Sequence, residues 1–523
     1  MPDATETMPH PAQHERAPNG RSRLADSTKR PLVIAAAISF GLCALVAIFE
    51  LRVGVSLKDE GYLWYGVQRV LAGEWPILDF RAYDPGRYLW SAAWQRVLGD
   101  GILTLRAAAW IFAAAGVTAG LLAARRVVRT LPGLVATAAL LIPWLLPRHK
   151  RFDVVVPLAA ILASVRMIER RDTSSHIVAG AVAGMAAFVG RNHGVYLAVA
   201  MTAIVWVIAP PQRWAFPKRL AQLTAGALLG YLPMLALWAV FPRYLPAFVA
   251  MTTNVVGNLA SRSSPPVPWP WLGGDVPTVF LGMLFVGAPL LYAVTAVRLL
   301  RRRRSLAGPY DSLMLAATAI GLPYLHHAFS KAGPAHFFQA SMPFLLLVVA
   351  YAASAWQRSD RRAVGAAIMS GLVIFTLIVP VPEWGLTQYL ASPERYQKAR
   401  VGEDRLVVTR VHERTLDFFD RFAERVPDDE AILVTSNLVS VYAIMERRSP
   451  IYDTYMVTKR SKQQQAQIIQ TLDDRDVQWA LIMSHPRLRS THPNLLRHIR
   501  TNWEHVSIRG APSRGGVYRR PDA

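Results

Sequence analysis

The chain has 523 residues, 52% of them hydrophobic, yet it carries a formal net charge of +23. A soluble enzyme with that charge is rarely so apolar, whereas apolar segments alternating with short basic loops give both properties at once, as in multispanning membrane proteins. No basic stretch is interleaved with aromatics on a soluble domain of suitable size, which argues against nucleic acid as a partner, and the single cysteine, Cys43, excludes an intrachain disulfide.

Residues 1–31, rich in Pro, Ser and Arg and without apolar periodicity, are expected to form a disordered cytoplasmic tail. The apolar run over 32–49 follows Lys29 and Arg30 and lacks a small-residue cleavage site, so it reads as a retained first helix and not a signal peptide. A spanning helix needs about 20 largely apolar residues, and on that criterion about eleven spans are predicted. They fall at 32–51, 102–123, 132–147, 154–168, 176–190, 194–209, 220–241, 275–297, 311–327, 337–356 and 363–381. The expected fold class is an α-helical polytopic membrane protein, with a transmembrane domain over 32–382 and a polar C-terminal domain over 383–523.

The loops give the orientation. Arg125, Arg126 and Arg129 follow the second span, Arg170 and Arg171 the fourth, and Arg213, Lys218 and Arg219 the sixth. Arg301, Arg302, Arg303 and Arg304 follow the eighth, as a topology signal only, and Arg358, Arg361 and Arg362 follow the tenth. All lie on the side of the basic N-terminal tail, which the positive-inside rule makes the cytoplasmic face of a bacterial-type inner membrane. The C-terminal domain is then extracytoplasmic. Some cations break this rule and need a different role. They are Arg148, Lys150 and Arg151 between spans three and four, Arg191 between five and six, and Lys331 between nine and ten.

The first outer loop, 52–101, is far longer than a connector needs. Asp59 and Glu60 open it, and Tyr62, Leu63, Tyr65, Gly66, Val70 and Leu71 have the spacing of a helix lying in the interface, with Trp64 and Trp75 suited to the headgroup layer. Asp79, Asp84 and the run Pro85-Gly86-Arg87-Tyr88 follow. Later outer loops bring Asp153 in RHKRFD, Arg191, Asn192 and His193 in GRNHG, and Lys331 and His336 in SKAGPAH. Carboxylates at the membrane surface are costly unless paired or functional. Fixed cations at headgroup depth suit a lipid-borne phosphate, and a carboxylate suits the removal of a proton from an attacking hydroxyl. Phosphate leaves without general-acid help, so this mixture fits glycosyl transfer from a lipid-phosphate sugar. His193, His326, His327 and His336 show no repeated ligand spacing and read as hydrogen-bonded histidines, not zinc ligands. Asp79 and Asp84 also suit turn capping, and Trp269-Pro270-Trp271 suits an interfacial anchor.

Over about residues 32–350 these features resemble, in order and sidedness, the C-type glycosyltransferase (GT-C) superfamily, which includes protein O-mannosyltransferases and lipid A aminoarabinose transferases. The matching features are Asp59-Glu60 after the first span, Gly73 to Pro76, the turn Asp84 to Tyr88, Asp153, Arg191, and Lys331 to His336. DPGRY stands where the aminoarabinose transferases carry a lysine-bearing KPP, so Arg87 would take over that lysine's contact. The resemblance implies an inverting glycosyltransferase that moves a monosaccharide from a polyprenyl-phosphate donor to an extracytoplasmic hydroxyl on an envelope glycan, lipid or protein. Asp59, with Glu60 and Asp153 nearby, would be catalytic. Arg87, Arg148, Lys150, Arg151, Arg191 and Lys331 would grip the donor phosphate, with Asp84, Tyr88, His193 and His336 toward substrate. No cofactor is required; a divalent metal (Mg or Mn) at Asp59 and Asp153 is compatible with the reading.

In the C-terminal domain, 431–435 and 477–483 read as buried strands, 413–422 and 463–472 as helices, and 506–508 and 516–519 as edge strands, giving a small α/β domain, which the resemblance implies helps bind or select acceptor. Ser436, Asp453 and His485 form no recognisable triad by spacing. Two rival functions are a polyprenyl-diphosphate glycan ligase or polymerase, whose key loop usually comes late in the chain, and a lipid-linked sugar transporter or flippase, which usually shows internal repeats.

Overall fold

The structure, a computed structural model, describes residues 20–257, 265–306, 308–435, 437–456, 458–483, 488–511 and 515–521. Helices run in chain order α1 (Gly20–Glu50), α2 (Asp59–Leu71), α3 (Pro85–Leu98), α4 (Ile102–Ala124), α5 (Leu131–Leu141), α6 (Arg151–Arg170), α7 (Thr173–Val189) and α8 (Arg191–Ile208). There follow α9 (Ala215–Gly230), α10 (Leu232–Val240), α11 (Tyr244–Gly257), α12 (Val276–Arg301), α13 (Gly308–Ser330), α14 (Pro334–Trp356), α15 (Arg362–Ile378) and α16 (Gly385–Ala391). The C-terminal part adds β1 (Tyr396–Val401), β2 (Asp404–Thr409), α17 (Arg410–Ala423), β3 (Ile432–Val434), α18 (Ser440–Ile444), α19 (Lys462–Asp474), β4 (Trp479–Ile482), α20 (Leu488–Thr491), α21 (Pro493–Asn502), β5 (Glu504–Val506) and β6 (Gly516–Arg519).

Among the described residues, six helices are long and apolar enough to cross a membrane, and a seventh span counts if α9 and α10, bent by 57° at their junction, are taken together. Eleven is therefore not reached on length and composition. Of the other predicted spans, α5 and α7 are shorter, and α6 carries Arg151, Asp153, Arg166 and Glu169 within its length. The first helix begins at Gly20, so the expected tail is helical from there on; residues 1–19 lie outside the described residues. Close helix packing replaces hydrophobic drive inside the bundle. At α7 and α9 it is tight enough that a Cβ on Gly184 would lie 2.1 Å from the Ala227 carbonyl oxygen.

The C-terminal part holds a four-stranded sheet of order β3-β4-β6-β5, in which β3 and β4 are parallel and the other pairs antiparallel. The antiparallel hairpin β1–β2, unforeseen from sequence, docks on the first loop through Gly54, whose N–H donates to the Val407 carbonyl at 2.7 Å. The sheet domain covers α2. Gly61 approaches Ser440 so closely that an added Cβ would sit 2.4 Å from the Ser440 Cβ. The Tyr65 hydroxyl accepts from the Ser449 N–H at 2.9 Å, and Arg81 N–H donates to the Tyr452 carbonyl at 3.0 Å.

This cover corrects one expectation. Tyr62, Leu63, Trp64, Tyr65 and Val67 are buried, so α2 is not an interfacial helix facing lipid, and the Trp64 indole donates to Asp100 at 3.3 Å. Apolar periodicity fixes which face of a helix is buried, but does not say whether lipid or protein covers it. Trp269 and Trp271 stack face to face, 5.2 Å apart, and Trp271 is exposed.

Candidate functional site

Three ion-paired groups sit where the first loop meets the bundle on the face that carries the C-terminal domain. The first is built on Glu50, the last residue of α1. Its carboxylate accepts from Arg148 Nε at 2.5 Å, from Arg151 Nη2 at 3.1 Å and from the Trp110 indole at 3.3 Å. Glu60 lies beside it and takes a bidentate pair from Arg106, at 2.8 and 2.9 Å, plus the Ser56 N–H at 2.9 Å. Arg148 links the two, with Nη1 3.6 Å from Glu60. Arg148 and Arg106 also donate to backbone carbonyls of the turn after α1, Val53 at 2.8 Å and Gly54 at 2.7 Å respectively, which fixes how the chain enters α2.

The second group centres on Asp153 at the head of α6. Arg87 grips both of its oxygens, at 3.0 and 2.9 Å, and His193 Nε2 lies 2.9 Å from Oδ1 while its Nδ1 meets the Tyr324 hydroxyl at 2.7 Å. Arg87 reaches this point because Gly86 lets α3 approach the end of α7: a Cβ there would be 2.9 Å from the Phe188 carbonyl oxygen. The guanidinium then donates to the Val189 carbonyl at 3.0 Å. Lys150 stands apart from this grip. Its Nζ is 3.7 Å from Asp153 and 3.9 Å above the centre of the Tyr83 ring, and it makes no hydrogen bond among the described residues. The third group pairs Asp84 with Arg191, at 3.1 Å, and Arg191 also donates to the Thr252 hydroxyl at 2.6 Å.

Asp59 differs from every other carboxylate here. It is partly exposed, accepts one hydrogen bond from the Tyr455 hydroxyl at 3.2 Å and has no ion pair among the described residues. Tyr455 packs on Tyr62 and Tyr62 on Tyr83, at 5.1 and 5.2 Å between ring centres, so an aromatic path joins Asp59 to Lys150. His149, half-buried in the turn before α6, is within electrostatic reach of Asp59, Lys150, Glu60 and Asp153. Burial holds its imidazole neutral down to about 4, against the opposing pull of Asp59. His327 and His336, stacked at 5.6 Å, bring the turn carrying Lys331 to the same neighbourhood, and Lys150 is felt at both rings.

Five cations (Arg87, Arg106, Arg148, Lys150, Arg151) thus face four carboxylates (Glu50, Asp59, Glu60, Asp153), leaving a positive surplus. Of the residues singled out from sequence, Asp59, Glu60, Arg87, Arg148, Lys150, Asp153, His193, Lys331 and His336 share this region. Arg151 is fully buried between Glu50 and the Trp110 ring, 3.9 Å away, and Tyr88 is fully buried with its hydroxyl accepting from the Tyr83 N–H. Both Asp153 oxygens are held by Arg87 and His193, and among the described residues no three His, Cys, Asp or Glu side chains are grouped to hold a metal. Asp453 is bound by Arg81 at 2.5 Å and by Arg460, while Ser436 and His485 lie outside the described residues.

Glu50, Arg106, His149, Tyr83 and Tyr455 were not foreseen. Glu50 and Arg106 had a signal: ionisable residues at the end of one predicted span and inside another are functional or paired by default.

Glu60 makes a test. Burial raises its carboxyl, but Arg106 and then Arg148 outweigh burial and bring it down to about 2. With the folded value depressed, the stabilisation is full above the unfolded value of roughly 4.3 and is lost as pH falls toward the folded value. The melting temperature in detergent should therefore drop between about pH 4.5 and 2. E60Q should melt lower at neutral pH and show a flatter acid limb; an acid limb identical to the parent's would exclude Glu60 as its source.

No family model and no curated protein matches the chain. Its fold does have counterparts. A crystal structure of ArnT from Cupriavidus metallidurans bound to undecaprenyl phosphate aligns with a TM-score of 0.54 at 14% identity, over 96% of this chain and 98% of that one. The same protein in the apo state aligns with a TM-score of 0.46 at 12% identity, over 95% and 98%. The chain is an integral membrane protein whose fold is similar to that of ArnT, and the resemblance read from sequence holds at the level of fold.

Proposed function

We propose that this protein is an inverting glycosyltransferase that passes a monosaccharide from a polyprenyl-phosphate donor to a hydroxyl group on the extracytoplasmic side of the inner membrane. The orientation rests on the arginine-rich loops of the opposite face. The observation that carries the reading is one carboxylate with no ion pair among the described residues, Asp59, joined through the Tyr455, Tyr62 and Tyr83 rings to one loosely held cation, Lys150. The undecaprenyl phosphate in the ArnT crystal structure is the kind of lipid such a cation would meet.

In this reading the donor phosphate lies against Lys150, with Arg148 and Lys331 adding to the field. The acceptor oxygen attacks the anomeric carbon from the face opposite the phosphate. As the new C–O bond forms, the bond to phosphate breaks, and the lipid phosphate leaves with the electron pair, stabilised by Lys150. Asp59 takes the hydroxyl proton. The Glu60–Arg106–Arg148 and Asp153–Arg87–His193 networks position these two groups and do not react. Acceptors enter beneath the C-terminal domain, which contributes Tyr455.

Vesicles containing the purified protein, supplied in parallel with polyprenyl-monophosphate and polyprenyl-diphosphate sugars, should transfer sugar only from the monophosphate. Transfer from the diphosphate alone would favour a ligase or polymerase. Passage of the lipid across the bilayer with no sugar transferred would favour a flippase.

A further inference from the structure

On the opposite face, which the proposed orientation makes cytoplasmic, a cavity of about 1230 Å³ opens between α4, α6, α7 and α13. That exceeds the roughly 300–1,000 Å³ that holds a small-molecule ligand. Its wall is aliphatic, from Leu122, Leu162, Val182 and Leu315, and Val178 and Leu32 at its margin are 44% and 52% exposed, so it opens sideways toward lipid. Its rim carries Arg125, Arg126, Arg129, Arg166, Arg170 and Arg171 against Glu169 and Asp311.

The positive-inside rule asks for arginines in loops; it asks neither for a cavity nor for arginines within a helix. Arg166 stands inside α6, a full turn before its end, on the same cavity wall as Leu162. Arg126 is paired with Glu169 at 3.0 Å, whereas the side chains of Arg125, Arg129 and Arg166 have no ion pair or hydrogen bond among the described residues. Unneutralised guanidinium groups above an aliphatic slot open to the bilayer match a phosphate with hydrocarbon chains below it. We propose that this cavity binds an anionic diacyl phospholipid of the inner leaflet, headgroup among Arg125, Arg129 and Arg166 and acyl chains along α6 and α7. The site is separate from the transfer chemistry and rests on that reading only for which leaflet it faces.

The test is lipid retention by the full-length protein in native mass spectrometry, with no activity readout, so it stands or falls apart from the glycosyltransferase assignment. The parent should retain phosphatidylglycerol but not phosphatidylcholine. R125Q/R129Q/R166Q should weaken retention about 100-fold, at roughly fivefold per arginine. R298Q/R301Q/R302Q, which removes three basic residues outside the cavity, should leave it unchanged. Equal losses in both variants, equal retention of phosphatidylcholine, displacement by millimolar inorganic phosphate alone, or polyprenyl phosphate retained in place of phosphatidylglycerol would overturn the proposal. Should the triple variant fail to fold, a photoactivatable phosphatidylglycerol on the parent decides: label on α6 and α7 supports the site, and label confined to the end of α12 refutes it.

Discussion

Replacing Asp59 by Asn is expected to lower the rate of sugar transfer by about 10²–10⁴-fold, the usual contribution of a positioned general base. The substitution keeps the side chain's size and still offers an oxygen to the Tyr455 hydroxyl, so the contact with the C-terminal domain survives. Donor binding should change little, because no cation is paired to Asp59 among the described residues. The loss should therefore fall on kcat, with the KM for the donor within a few-fold of the parent. Steady-state transfer in vesicles separates the two. A D59N protein with parental kcat would remove Asp59 from the chemistry, and a loss confined to KM would make it a binding group instead.

The second large effect concerns stability. Arg87 and Asp153 form a bidentate pair with side chains only 3% and 9% exposed. Removing one member of such a pair strands the other charge in a low-dielectric setting, at a cost of about 3–5 kcal/mol. D153L should be destabilised by that amount, since Arg87 would keep only the Val189 carbonyl as hydrogen-bond partner, with the Tyr83 ring 4.9 Å away. The double variant R87M/D153L removes both charges and should recover most of the loss, because two apolar side chains of similar volume escape the desolvation cost. Thermal melts in detergent distinguish these outcomes. If the double variant is as unstable as D153L, packing at this position outweighs electrostatics and the pair is not what holds α3 against α6.

The bundle, the long first loop and the sheet domain were legible without coordinates because their apolar runs and basic loops carry local periodicity. Asp59, Lys150 and Asp153 were legible as ionisable groups in places where ionisable groups are costly. What local pattern cannot supply is the partner. Arg148 pairs with Glu50 98 positions earlier, and Arg81 with Asp453 372 positions later. Those distances place Arg151 against Glu50, and set Asp59 apart from Glu60 although the two are adjacent in sequence. Tyr455 reaches Asp59 from the far end of the chain, so the sheet domain's share in the site was invisible until the two were brought together. His149 was overlooked for a different reason: it stands among cations in sequence, and only the fold brings it within electrostatic reach of Asp59, Glu60 and Asp153.

The roles given to Lys150 and Asp59 separate most sharply in equilibrium binding of polyprenyl monophosphate, measured on protein that binds but does not turn over. D59N should bind it as the parent does, whereas K150M, lacking the cation held 3.7 Å from Asp153 and over the Tyr83 ring, should bind at least tenfold more weakly in proportion to a lost charge-assisted contact of about 1.5–3 kcal/mol. Parental affinity in K150M, with D59N unable to bind, would contradict the division of labour on which the glycosyltransferase reading depends.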